Sequence, residues 1–297
     1  MQIHRQRQEQ WMRRVFTAIA AASIVVLVTI TLFLFSEGVP IFNKVSVQAF
    51  VFGKYWYPTA EPPDFGIFPL LAASVLVTLL AALLAVPLGV MTAIYLAEIA
   101  QARVREIVKP IIELLAALPS VVIGFFGMVV VAPFLQNAFG IATGLNLCNA
   151  AVMLAFMSIP TICSISEDAI YSVPKSLREA SLALGANHWE TIVRVVLPAA
   201  VSGISTAVIL GMSRAIGETM VVLMVAGGAA MLPGSLFDPV RPMPASIAAE
   251  MAEAPFRGDH YHALFATGIV LFLFTLVFNL VADHVAHKYR QVGEGSL

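Results

Sequence analysis

Five stretches of this chain run for 19 to 28 residues without a charge, and a sixth carries only Arg214 and Glu218. They are Val15–Phe35, Leu70–Ala97, Leu114–Leu135, Leu147–Ile165, Ala263–Ala282 and, with the two charges, Ala199–Ala230. At helical rise each spans about 28 Å or more, close to the hydrocarbon thickness of a bilayer. Soluble domains carry about 25% charged residues, whereas this chain has 12% against 59% hydrophobic. So few charges cannot cover so much apolar surface in water. The expected fold is an all-α membrane protein with six transmembrane helices.

The first run follows Arg13-Arg14, as in the n-region of a signal peptide. Its 21 residues exceed an h-region, and Ser36-Glu37-Gly38 offers no small-x-small cleavage site, so it is expected to stay as a span. Six spans put both termini on one side. The flanks on that side hold twelve basic residues: Arg5, Arg7, Arg13, Arg14, Arg103, Arg105, Lys109, Lys175, Arg178, Arg194, Lys288 and Arg290. The opposite flanks hold four, Lys44, Lys54, Arg241 and Arg257. The positive-inside rule therefore places both termini in the cytoplasm. A net charge of −1 gives no basic excess for nucleic acid. Cys148 and Cys163 share one apolar run; as a helix it separates them by roughly 22 Å, beyond disulfide reach.

Two outer loops are long. Ser36–Phe68 carries Tyr55-Trp56-Tyr57-Pro58, which reads as an interfacial aromatic belt or as a docking surface. Met231–His262 contains His260-x-His262, but no cysteine or carboxylate cluster completes a metal site there. Between the second and third runs, Lys109 and Glu113 are spaced to pair at the inner interface.

The inner loop Glu167–Pro198 carries its own helical signals. Pro174 favours a helix start, Ser176 with Glu179 forms an S-x-x-E capping pattern, and Leu177, Ala180, Leu182 and Leu184 supply an apolar surface. Gly185 supplies a stop. Asn187 with Glu190 signals a second start before Trp189, Ile192, Val193 and Val196. Two short helices meeting at a glycine suit a partner's groove; an amphipathic helix lying on lipid is the alternative.

Glu179-Ala180-Ser181, three residues, Gly185, nine residues, then Val195-x-Leu197-Pro198 resembles the EAA loop of binding-protein-dependent ABC importer permeases. Ser181 stands where that family has alanine. The resemblance implies the type-I importer permease fold, with this loop as the coupling helix that docks into an ATPase subunit. Pro174, Leu177, Glu179, Ala180, Ser181, Leu182 and Gly185 would make that contact. It also implies three segments: residues 1–69 with the added first span and outer loop, the transmembrane domain over 70–283 with the EAA loop at about 167–198, and a tail over 284–297.

In the run Ala199–Ala230, fifth in chain order, Arg214 and Glu218 are i and i+4, one helical turn apart on one face. A structural ion pair, a cation on a substrate pathway and a misplaced span boundary are three readings of that spacing. Ser213-Arg214-Ala215-Ile216-Gly217-Glu218-Thr219-Met220 resembles the fifth-span signature of phosphate importer permeases. Sulfate and molybdate relatives share the R-A-x-G-E portion and usually continue with an aromatic and a glycine. Phe52-Gly53-x-x-Trp56-x-Pro58, Phe65-Gly66-Ile67-x-Pro69 and Leu118-Pro119-Ser120-Val121-Val122-x-Gly124 are most similar to the PstC-type subunit, with Ala73-Ser74 departing from the usual Gly-Thr. On this resemblance Arg214, Glu218, Thr219 and Ser120 would line the phosphate pathway.

The chain lacks G-x-x-x-x-G-K-[ST], so it is expected to have no nucleotide site, and with no convergent nucleophile–base set or metal cluster in the sequence it is expected to hold no cofactor and not to be an enzyme. The resemblance implies ATP and Mg held by two ATPase subunits (PstB-type), a homologous second permease (PstA-type), and an external phosphate-binding protein (PstS-type). Transport would proceed by alternating access in the bacterial inner membrane. The alternatives are a sulfate or molybdate permease of the same fold, and a non-conducting membrane sensor or scaffold associated with the importer.

Overall fold

The computed structural model describes the backbone of residues 2–294 and the side chains of residues 11–284. In chain order, α1 (Gln2–Gly38) leads through a 3₁₀ turn to α2 (Val47–Phe52), then to an antiparallel hairpin of β1 (Trp56–Tyr57) and β2 (Asp64–Phe65). Next come α3 (Phe68–Ile94), which widens into a π-turn at Tyr95–Ile99, and α4 (Ala102–Ala116). Then follow α5 (Ser120–Phe126), α6 (Ala132–Phe139) and α7 (Leu147–Tyr171). The loop helices α8 (Lys175–Ala183) and α9 (His188–Thr191) precede α10 (Leu197–Ile216) and α11 (Met220–Val225). Last are α12 (Met243–Glu250) and α13 (Asp259–Glu294).

Among the described residues six helical segments are long and apolar enough to cross a membrane: Trp11–Asn43, Phe68–Ile99, Ser120–Phe139, Leu147–Tyr171, His188–Ile216 and Asp259–His284. Their number matches the six apolar runs, but two runs are not continuous helices. The run Leu114–Leu135 breaks after Ala116, because Pro119 adopts extended backbone (φ −59°, ψ 136°) and cannot continue a helix; the span starts at Ser120. The run Ala199–Ala230 breaks after Ile216 and resumes as α11. After α11 the chain is non-helical until Met243, and Gly227 pairs with Val240 in an isolated bridge.

The centre of the bundle is α3 against α7. Lipid is as apolar as leucine, so helices in a bilayer associate by close van der Waals contact at small residues. The inner face of α3 reads Ala73, Val77, Ala81, Ala85 and Gly89, all buried at four-residue spacing. Gly89 of α3 and Gly211 of α10 approach the same side chain of α7: an added Cβ would lie 2.9 Å from Ile162 Cγ2 and 2.5 Å from Ile162 Cγ1, respectively. α1 lies outside this core and packs on α13, where Phe33 meets Phe265 edge-on at 5.6 Å.

A second core closes the end of the bundle that carries α12. Ile41, Phe50, Trp56, Phe65, Ile67, Leu70, Met243 and Leu264 are buried there together. Trp56 is thus an interior residue rather than part of an interfacial belt, while Tyr55 and Tyr57 beside it are exposed. The two histidines are also engaged: His260 Nε2 lies 2.8 Å from Glu250, and His262 Nδ1 lies 2.7 Å from the Glu37 carbonyl. Among the described residues no cluster of three or more His, Cys, Asp or Glu is placed to hold a metal ion.

Candidate functional site

The first candidate region is the break in the fifth run. α10 ends at Ile216 and Gly217 leaves helical geometry at φ −87°, ψ 0°. The four-residue spacing of Arg214 and Glu218 therefore does not put them on one helical face. Glu218 instead turns onto the start of α11, where Oε1 accepts from the Met220 N–H at 3.1 Å and the Val221 N–H at 3.2 Å. Those amides would otherwise be unsatisfied, as at the start of any helix. Arg214 is exposed, and among the described residues it forms neither hydrogen bond nor ion pair; the anticipated pair with Glu218 is absent. Thr219 Oγ1 donates to the Gly217 carbonyl at 3.3 Å. Ser120 opens α5, and α5 packs on α11 through Gly124, where an added Cβ would lie 3.3 Å from Val221 Cα. Glu218 and Thr219 thus both lie at the break, each with its own backbone partner, and Ser120 belongs to the helix alongside.

A neighbouring polar contact was not legible from spacing. Ser213 Oγ donates to Asn279 Oδ1 at 2.5 Å, joining α10 to α13. Ser213 sits beside Arg214 in α10 and Asn279 in an apolar stretch of α13, and nothing in the primary pattern pairs them.

The second candidate region is the α8–α9 loop. Pro174 is the residue before the first helical turn of α8 rather than part of it, with extended ψ of 137°. Ser176 therefore falls inside the helix, and the capping pattern expected for Ser176 with Glu179 does not form. The left-handed Gly185 (φ +88°) does end the segment, a conformation a Cβ would oppose. The second expected start is present in full. Asn187 Oδ1 accepts from the Glu190 N–H at 2.9 Å, and Glu190 Oε2 accepts from the Asn187 N–H at 2.9 Å.

Ser181 faces inward and shares a 3.0 Å hydrogen bond with Thr191, holding α8 to α9. Pro174, Glu179, Ala180, Leu182 and Gly185 are exposed, and Leu177 is half-buried. Leu184 is 91% exposed and Trp189 63%. Leu177, Ala180, Leu184, Glu190 and Arg194 are among the residues around a groove of about 550 Å³ between the two short helices. Large apolar side chains rimmed by charge mark an interaction surface.

Charged residues beneath this loop carry more structure than their role as basic flanks implied. Arg178 Nη2 donates to Glu98 Oε1 at 2.7 Å and to the Ile170 carbonyl at 2.9 Å, and Nη1 donates to the Val173 carbonyl. Glu167, 1% exposed, accepts from Arg105 Nε at 2.9 Å. Lys109 Nζ makes an ion-pair contact with its other oxygen at 3.2 Å and a hydrogen bond to Asp168 at 3.0 Å. Lys109 therefore serves α7, not Glu113 as its spacing implied. Burial pulls the Lys109 ammonium down, and its hydrogen bonds to Asp168 and Glu167 with their charges outweigh this, leaving its pKa above the ordinary lysine value.

Residues 85–291 match the family model described as "Binding-protein-dependent transport system inner membrane component". The chain is 40% identical to the probable ABC transporter permease protein YqgH of Bacillus subtilis, over 97% of this chain and 94% of that protein. It is 35% identical to the phosphate transport system permease protein PstC of Mesorhizobium japonicum, over 80% and 77% respectively. Among solved structures it is similar to the inward-facing MetNI methionine ABC transporter, with a TM-score of 0.56 at 21% identity, covering 75% of this chain and 94% of that one. A bacterial alginate ABC transporter aligns with a TM-score of 0.63 at 15% identity, covering 93% and 94%. These structural likenesses establish the all-α, multi-span fold of type-I importer permeases.

Proposed function

We propose, since the chain belongs to the family of binding-protein-dependent transport system inner membrane components, that this ABC-importer permease subunit serves an ATP-driven phosphate importer. In this reading residues 70–283 form the transport domain, residues 1–69 add a span and an outer loop, and both termini lie in the cytoplasm of a bacterial cell. A homologous second permease completes the pathway, two ATPase subunits supply energy, and an external phosphate-binding protein delivers the anion.

The observation that carries the reading is Arg214. Arg214 is a permanent charge two residues before α10 ends at Ile216, costly wherever it meets lipid, and it is exposed with its nearest acidic neighbour in sequence turned onto α11. A guanidinium so placed has to meet water or another subunit. Its planar, permanent charge matches phosphate oxygens. Thr219 at the same break and Ser120 at the start of α5 would add neutral hydrogen-bonding groups, so that the anion is held weakly enough to leave. The names of relatives such as the Mesorhizobium PstC add support for phosphate.

Energy enters through α8 and α9. Pro174, Leu177, Glu179, Ala180, Leu182 and Gly185 build the surface against which an ATPase docks, while the buried Ser181, expected there as well, instead holds α8 to α9 behind that surface, and closure of the ATPases tilts the spans between inward and outward states. The cycle is directional because the pathway's affinity for phosphate differs between those states.

The test is uptake into proteoliposomes containing the full importer. ATP-dependent accumulation of phosphate and not sulfate is expected, and Glu179→Lys is expected to separate ATP hydrolysis from uptake. Sulfate accumulation in place of phosphate would refute the substrate, and no accumulation of either by the intact complex would favour a sensor or scaffold.

A further inference from the structure

Arg178 and His188, one on each short loop helix, close on the same residue of the second span. Arg178 donates to the Glu98 carboxylate at 2.7 Å, and His188 Nε2 lies 3.2 Å from the Glu98 carbonyl. Glu98 belongs to the π-turn that ends α3, and its side chain is only 7% exposed. The same guanidinium holds the carbonyls of Ile170, in the last turn of α7, and of Val173, just past its end. One arginine of α8 therefore fastens the loop to both central helices of the bundle.

These two helices are also the most tightly joined, through the alanine and glycine face of α3. Packed helices move as rigid units and transmit displacement through discrete contacts rather than by deforming. Elsewhere the loop presents exposed side chains, including Glu179, Leu182, Leu184 and Trp189. A force applied to that outer surface reaches α3 through Glu98 and α7 through the carbonyls beside it.

We propose that the Arg178–Glu98 pair is the strut that carries displacement of the α8–α9 loop into the second and fourth spans. Arg178 and Glu98 are positioning residues: they touch neither substrate nor nucleotide, and they fix how far the spans travel per movement of the loop. The fork geometry matters as much as charge, since one guanidinium serves a carboxylate and two carbonyls at once. The proposal rests on the reading of α8–α9 as the ATPase-docking loop.

The experiment measures ATP hydrolysed per phosphate imported by the complete complex in proteoliposomes, for Glu98→Gln, Arg178→Lys and Glu179→Lys. With the strut in place, Glu98→Gln and Arg178→Lys raise that ratio roughly 2- to 30-fold, the range of coupling changes along such networks, with subunit stoichiometry unchanged. A normal ratio in both variants overturns the strut. Loss of the assembled complex in both assigns the pair to folding alone and overturns it as well. If only one variant assembles, its ratio decides. Glu179→Lys separates the two ideas: an altered ratio there with normal ratios in the strut variants removes the strut alone, and normal ratios in all three remove the docking reading too.

Discussion

The Trp56 indole donates to both carboxylate oxygens of Glu250, at 3.1 and 3.0 Å, across 194 residues of chain. Arg241, Ser246 and His260 converge on the same carboxylate. Four segments, the hairpin, the stretch after α11, α12 and the start of α13, are therefore tied at one point. Removing it leaves a partly buried guanidinium and an indole without their acceptor, a cost larger than that of a typical hydrogen bond. Glu250→Ala is expected to destabilise the protein by about 3 kcal/mol, read as a lowered midpoint of thermal unfolding in detergent. An unchanged midpoint would contradict this role.

Gly211 and Ile162 are too close to admit a Cβ on the former, at 2.5 Å from Ile162 Cγ1. Gly211→Ala is expected to cost about 1–3 kcal/mol by overpacking. In combination with Ile162→Ala the clash disappears, so the double variant should be more stable than the sum of the single changes implies. Additive effects in a double-mutant cycle would show that the two helices do not meet there.

Asn187 and Glu190 satisfy each other's backbone amides at the start of α9. Asn187→Ala is expected to cost about 1 kcal/mol and to speed amide exchange at Glu190. Unaltered exchange at that amide would argue against the cap.

Lys109 supplies a pH signature outside the spans. Its folded pKa is raised, so its stabilising effect is complete below the ordinary lysine value of about 10.4 and is lost as pH rises through the higher folded value. Lys109→Met is therefore expected to lower thermal stability by about 1–2 kcal/mol near neutral pH, with the gap to the unmodified protein closing in strong alkali. A gap that widens with rising pH would reverse the sign and refute the assignment.

The number of spans was legible because hydropathy over some twenty residues depends on composition alone. The α9 cap and the Gly185 stop were legible because both are local, decided within four residues. Hydropathy does not register backbone direction, however, so the break after Ile216 was hidden inside an apolar run that continues to Ala230. The break before Ser120 did have a signal in Pro119. The Glu98–Arg178 and Trp56–Glu250 contacts, 80 and 194 residues apart, depend on the assembled packing, and no spacing rule reaches that far. Glu218 was misread for a related reason: its i+4 relation to Arg214 has meaning only within a helix, and the helix ends between them.

Arg214 is proposed to meet the transported anion, and the decisive measurement is phosphate uptake by the reconstituted importer carrying Arg214→Gln. The expected result is a complex of normal composition whose ATP-dependent phosphate uptake falls roughly 10- to 100-fold, the effect of losing one charge-assisted contact of about 1.5–3 kcal/mol. Normal uptake by the assembled variant, or failure of the variant subunit to join the complex at all, would contradict it.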